Sequence, residues 1–163
     1  MLTQEQALKF FDYNSSTGEL IWKYRPEKTN SWNSRFAGKV AGGVADPWRK
    51  FVKIDGVSFL VHRVVWLRAY GTLPKQLDHK DGNGYNNRLE NLREATQSQN
   101  MWNRIAIKRG GVDRVCNKFR AKIMIRYKQV YLGLFSTREE AEQAYIEASK
   151  KLRGEFSAHN RGR

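Results

Sequence analysis

Cysteine is nearly absent from this chain: Cys116 is alone among 163 residues, and there are only 3 prolines and 16 acidic side chains. A single thiol excludes an internal disulfide and any Cys-rich zinc cluster, and makes the reducing cytosol the natural compartment. Apolar runs of membrane-spanning length are missing too, and the opening Met1-Leu2-Thr3-Gln4-Glu5-Gln6 lacks the basic and apolar regions of a secretory signal. A soluble, cytoplasmic protein without a membrane partner is therefore expected. There is no internal repeat and no low-complexity stretch.

Against that shortage of acid stand 30 Lys and Arg, giving a net charge of +14 and a pI near 10.1. Such an excess points to a polyanionic partner, because each neutralised phosphate releases counterions. The charge is uneven. Residues 1–76 hold 12 basic and 6 acidic side chains, 77–104 hold 4 of each, and 105–163 hold 14 and 6. A neutral block between basic flanks suits a cation-holding site whose neighbours grip a backbone.

The length allows one compact domain or two small ones, and the chain reads as three segments. In the first, Thr3 and Gln6 form a capping box ahead of Ala7, Leu8, Phe10 and Phe11, which predicts a short helix. A turn over residues 14–18 leads to a strand at Leu20-Ile21-Trp22. Residues 25–50 read as loops and short strands. Residues 51–54 and 57–60 form a hairpin on Asp55-Gly56, and Val61, Val64 and Val65 mark one side of a helix over 61–70, with Arg63 and Arg68 in solvent. Trp22, Trp32, Trp48 and Trp66 are expected in the core, and His62 in a structural role.

The middle segment, 76–104, reads as strand (76–79), Gly- and Asn-rich loop (80–88), strand (90–95), and a helix capped by Thr96 and Gln99 that carries Asn100, Asn103 and Arg104. In the last, 110–160, Phe119, Ala121, Ile123 and Ile125 alternate with Lys118, Arg120, Lys122, Met124 and Arg126. Tyr127-Lys128-Gln129 is expected to turn the chain into a strand over 130–135. Thr137 and Glu140 cap a helix with Ala141, Ala144, Tyr145, Ala148 and Leu152 at helical spacing. The assembly expected is a three-stranded antiparallel sheet, one face on the helix and the other strongly basic.

Chemistry concentrates in residues 77–93 and 98–100. Asp78 and the amide oxygen of Asn100 are hard ligands, suited to Mg²⁺ and poor for Zn²⁺. His79 can take a proton from water near neutral pH. Neighbours in a regular strand point to opposite faces, so the strand must end or bulge here for Asp78 and His79 to serve one site. These groups suit phosphodiester hydrolysis, which needs a base and a cation.

The Asp78-His79 pair, the Asn86-Asn87-Arg88 run, Asn91 and Asn100 together resemble the HNH motif of phage and intron-type homing endonucleases, in the variant with Asn at the last position. The resemblance implies an α+β chain with a ββα-metal nuclease core at about 76–104, inside a domain over 1–104 with an N-terminal α/β extension. It implies one Mg²⁺ or Mn²⁺ ion on Asp78 and Asn100, His79 as general base, and Asn91 bonding across the loop to orient His79. Asn86 and Asn87 would brace the loop. Residues 110–160 resemble an AP2 domain through Gly111-Val112, Phe119-Arg120-Ala121-Lys122-Ile123, 131–135 and the helix 139–145, with Phe119 where that family commonly has Trp. That likeness implies a basic sheet face in the major groove of duplex DNA, with Arg114, Arg120, Lys122, Arg126 and Tyr131 as contacts. Asn103 and Arg104 join them as DNA-binding candidates. The expected product is a nick, since one site per chain cuts one strand, and a monomer is favoured. If the chain is phage-encoded, its compartment is the host cytoplasm. Two rivals are a non-catalytic AP2-type DNA-binding regulator, which has no need of Asp78, His79 and Asn100, and an RNA-binding protein, which the sheet's lack of an aromatic stacking signature argues against.

Overall fold

The computed structural model describes residues 1–46, 48–103 and 111–160, with backbone alone at 44–46. They fall into two compact units, Met1–Glu94 and Ala95–Arg163. The division lies ahead of the helix that follows Thr96, whereas the sequence reading put it between 104 and 110.

The first unit opens with α1 (Gln4–Phe10), closed at its start by the reciprocal bonds of the capping box: Gln6 N–H to Thr3 Oγ1 (3.2 Å) and Thr3 N–H to Gln6 Oε1 (3.0 Å). Phe11, expected on this helix, instead turns extended and starts β1 (Phe11–Asn14), which pairs antiparallel with β2 (Glu19–Trp22). Asn14 Oδ1 accepts from the N–H groups of Ser16 and Thr17 and shapes the turn between them. Residues 30–36, expected as loop, form α2 (Asn30–Phe36) before β3 (Val40–Ala41) joins the sheet. Only Trp32 and Phe36 carry helical spacing there. Tertiary contact decides it: Asn33 is buried and its side chain exchanges hydrogen bonds with both backbone groups of Arg25.

β4 (Gly43–Asp46), β5 (Arg49–Ile54) and β6 (Val57–Leu60) make a second antiparallel sheet. Asp55 and Gly56 take φ of 46° and 88°, the left-handed pair that a two-residue hairpin needs. α3 (Val61–Tyr70) follows directly and ends at Gly71, with φ of 75°. Arg63 and Arg68 are half-buried rather than free in solvent: Arg63 Nη1 donates to Pro74 O, and Arg68 Nε to Phe11 O at 3.2 Å, tying α3 to β1. The core gathers Phe11, Leu20, Trp22, Val52, Val61, Val64, Val65, Leu77 and Leu92. Each fully buried side chain of this kind contributes about 1.5–3 kcal/mol. Trp66 joins them and Trp32 packs against them, but Trp48 is 74 % exposed because it occupies the turn between β4 and β5. β7 (Leu77–His79) and β8 (Leu92–Glu94) complete the unit as a separate two-stranded ladder.

The second unit holds α4 (Gln97–Trp102), with its Thr96–Gln99 capping box, then β9 (Val112–Val115), β10 (Lys118–Ile125), β11 (Lys128–Phe135) and α5 (Arg138–Arg153). The strands form one antiparallel sheet with β10 in the middle. The turn is Arg126-Tyr127, at φ of 48° and 63°, so Lys128 and Gln129 already belong to β11. Ala121 and Ile123 are buried on the α5 side. On α5 the buried stripe runs from Ala141 to Ser149, whose hydroxyl meets Ser157 Oγ at 2.9 Å, while Leu152 is exposed. Among the described residues, no helix is long and apolar enough to cross a membrane.

Candidate active site

β7 and β8 pair without a bulge: Leu77 faces Glu94, Asp78 faces Arg93, and His79 faces Leu92. The strand ends at His79, where Gly82 N–H donates to His79 O at 2.9 Å and the loop begins. Directly opposed residues share a face, and this sets the partners. Arg93 donates from Nε (3.0 Å) and Nη2 (2.8 Å) to Asp78 Oδ2, and both residues are buried. An unpaired charge at that depth would be costly, so Arg93 both compensates and orients the carboxylate.

The loop folds around Asp81. Its carboxylate accepts from Asn83 N–H (2.7 Å), Asn86 Nδ2 (2.8 Å) and Asn91 Nδ2 (3.0 Å). Asn91, buried, also donates to Asn86 O (2.7 Å) and accepts from Asp81 N–H (3.1 Å), so it spans the loop. The residue that meets the His79 ring is Asn87: its Oδ1 lies 3.0 Å from His79 Nε2. Asn91 bonds across the loop as expected, and Asn87, expected to brace the loop, also reaches the His79 ring. Leu92 stands across from His79, while Asn91 closes the short 3-10 turn Leu89–Asn91 just before β8 and points its amide into the loop.

Two further groups close on this loop from the N-terminal segment, and sequence reading gave neither a role in it. Tyr13 Oη donates to Asn87 O (3.3 Å) and accepts from Leu89 N–H (3.0 Å), and burial raises its pKa. The ring of His62, at the start of α3, packs edge-on to that of His79 with centroids 5.0 Å apart. Burial, helped by the nearby charges of His79, Arg49 and Arg63, pushes the His62 pKa down to about 3. Helical periodicity gave no signal for this contact, since it depends on where α3 packs.

Asn100 lies on α4, half-buried, with its backbone N–H on Thr96 O at 3.0 Å. The chemistry of the donor set fits a hard divalent cation. Asp78 is a hydrogen-bonded carboxylate, as metal-ligating carboxylates usually are. No group of three or more His, Cys, Asp or Glu arranged for a metal occurs among the described residues.

On the second unit, Arg120 and Lys122 share a face with Met124 on β10 and with Tyr131 on β11, across from Lys122. A bulge between Ala121 and Lys122 skips Leu132 and restores this pairing. The face is less basic than expected. Asp113 stands opposite Arg120, accepts from its Nε (3.2 Å) and Nη2, and lies 3.7 Å from Lys122 Nζ. Arg120 and Lys122 in turn hold the Asp113 carboxyl below the usual range. Arg114 pairs across from Phe119 and therefore leaves on the other face, where its Nε donates to Cys116 O. Arg126 sits at the hairpin tip, and Tyr131 is 58 % exposed. Asn103 ends α4 as its C-cap at 2 % exposure, so it presents no surface to DNA. Arg104 lies outside the described residues.

Residues 59–102 match the family model described as HNH endonuclease. The chain is 32 % identical over 115 residues to an uncharacterized HNH endonuclease of Acanthamoeba polyphaga mimivirus, covering 68 % of this chain and 62 % of that protein. It is 48 % identical over 44 residues to Protein 3.8 of Escherichia phage T7, covering 26 % and 36 % respectively. The chain thus spans less than two-thirds of the length of either relative. No solved structure matches. The matched segment runs from the end of β6 through α4 and includes His62, Asp78, His79, Asn87, Asn91 and Asn100, so residues 59–102 are similar to HNH endonucleases.

Proposed function

We propose that this protein hydrolyses phosphodiester bonds of duplex DNA, with His79 as general base. The observation that carries the reading is the half-buried His79 ring at the end of β7, its Nε2 held by the Asn87 amide oxygen and its chain neighbour the carboxylate of Asp78. Held by the Asn87 amide oxygen at Nε2, the neutral imidazole takes the proton of a water molecule. The water oxygen bonds to phosphorus as the bond to the 3′ oxygen breaks, leaving a 5′ phosphate and a 3′ hydroxyl. Asn87 then steadies the imidazolium through the same hydrogen bond. Asp78 and Asn100 would hold one Mg²⁺ or Mn²⁺ ion, which supplies charge stabilisation at the departing oxygen. Arg93 keeps the Asp78 carboxylate in place, and Asn91 with Asp81 keeps the loop closed behind His79.

The β9–β11 sheet is the proposed DNA-reading surface, in the manner of an AP2 domain. Arg120 and Lys122 contact backbone or guanine edges, Tyr131 lies against them, and Arg126 reaches out from the hairpin tip. One site per chain produces a nick, and a monomer suffices for it.

Supercoiled plasmid incubated with wild-type protein and with His79→Ala, in Mg²⁺ and in EDTA, tests the reading. Relaxed circles should appear with wild type in Mg²⁺ alone, and the variant should be slower by about 10²–10⁴-fold, the usual contribution of a general base. Tight duplex binding with no cleavage of plasmid or of a site library would instead make the protein a DNA-binding regulator.

A further inference from the structure

We propose that Tyr13 and His62, both from the N-terminal segment and outside the loop that bears the chemistry, are positioning residues that together set the imidazole of His79. The inference rests on His79 being the base. A fixed proton-accepting direction needs both a fixed anchor for Nε2 and a fixed ring plane.

Tyr13 supplies the first. Asn87 can hold His79 Nε2 only if its own backbone is held, and Tyr13 bonds to that backbone on either side of Arg88, at Asn87 O and Leu89 N–H. The hairpin carrying Tyr13 fits closely against the same stretch. A Cβ on Gly18 would lie 2.5 Å from Arg88 N and 2.7 Å from Asn87 C, so only glycine admits this approach. The chain of contact runs from Tyr13 through Asn87 to His79 Nε2.

His62 supplies the second. Its ring meets that of His79 at 73°, edge to face, and blocks rotation of the His79 plane. It is 8 % exposed, and its Nδ1 is buried without a hydrogen-bond partner. A buried, unsatisfied nitrogen is unfavourable, and a phenyl ring of similar shape would avoid that cost. Burial leaves His62 neutral over the working range, so it neither competes for the water's proton nor repels His79 once protonated. Through Tyr13 and His62 the first 70 residues thus take part in catalysis.

Three variants test this: Tyr13→Phe, which keeps the ring and loses the hydroxyl, His62→Ala, and His62→Phe, which keeps an aromatic edge. Nicking kinetics and the ¹⁵N ring shifts of His79 in the free protein are the two measurements. Tyr13→Phe and His62→Ala should lower kcat by about 10–100-fold with KM for DNA unchanged, the usual loss for an outer-shell partner. Wild type should show one His79 tautomer, protonated at Nε2, and these two variants a mixture. His62→Phe should recover most of kcat. Wild-type ring shifts in Tyr13→Phe and His62→Ala, or kcat losses that only follow the fraction of folded protein, would overturn the proposal. Should His62→Ala not fold, Tyr13→Phe and His62→Phe decide alone. If His79→Ala nicks at the wild-type rate, the base reading fails instead, and the ring shifts still report on positioning.

Discussion

Arg93 stands directly across the β7–β8 ladder from Asp78 and gives two hydrogen bonds to a single carboxylate oxygen, Oδ2, with both side chains buried. The guanidinium thus belongs to the hairpin that carries the proposed base, one residue beyond the partner of His79.

Arg93→Ala leaves a buried carboxylate without this partner and should destabilise the first unit by about 3–5 kcal/mol. Arg93→Lys keeps the charge but loses the fork, so it should fold better than Arg93→Ala and still need more divalent metal for half-maximal nicking than wild type. Urea midpoints and a metal titration of plasmid nicking check both. Equal stability of Arg93→Ala and wild type would refute the pairing.

Asn87→Ala and Asn91→Ala should fail differently. The first removes the direct partner of His79 Nε2, so kcat should drop by about 10–100-fold with a modest loss of stability. The second leaves Asp81 N–H and Asn86 O without their partner, so stability should fall by about 1–3 kcal/mol and activity with it. Thermal melts beside single-turnover nicking separate the two patterns.

His62 makes stability depend on pH. Unfolded, the imidazole titrates at its ordinary 6.5; folded, at about 3. Between these values the unfolded chain binds a proton that the folded chain refuses. Its contribution is therefore complete above pH 6.5 and is lost as pH falls, by up to about 1.4 kcal/mol per pH unit. Unfolding free energies of wild type and His62→Phe from pH 4 to 8 should diverge on the acid side, with the variant flatter. Parallel curves would contradict the depressed value.

If the sheet reads DNA as proposed, Asp113 sets how much of its charge reaches the duplex. Asp113→Asn frees Arg120 and Lys122 from their carboxylate partner, so affinity for duplex DNA should rise several-fold and the dependence of log K on log salt should steepen by about 1. Lys122→Ala should shift both the other way. Fluorescence anisotropy at several salt concentrations measures the two slopes.

Gly18→Ala should disturb the nuclease loop from a distance in sequence of about 70 residues. Gly18 has φ of 76°, and the added Cβ would strike the Arg88 backbone. Reduced nicking with a lowered melting temperature is expected, and wild-type behaviour in both would show that the hairpin does not bear on the loop.

Local rules were enough wherever the decisive partner lay within a few residues. The capping boxes at Thr3, Thr96 and Thr137 formed because each needs only the side chain three positions on. Asp55-Gly56 turned the hairpin through its own dihedral preferences, and the alternation over 118–125 sorted Ala121 and Ile123 to the helix face. The HNH-like motif was visible as well, and the family match spans the residues that carry it, 59–102.

What the linear pattern left undecided depends on register and on distant neighbours. The sequence marked Asn87 and Asn91 as amides near His79, but only the folded loop brought Asn87 Oδ1 within 3.0 Å of the ring. The helix at 30–36 exists because buried Asn33 satisfies the backbone of Arg25, a demand that no periodicity records. Asp113 could neutralise Arg120 only once β9 had paired with β10. Tyr13, His62 and Arg93 became neighbours of the catalytic pair through packing and strand pairing. Composition and spacing, acting over one turn or one strand, determined which polar side chains stand together in the chain; long-range packing, which no local preference encodes, decided which of them meet the His79 ring.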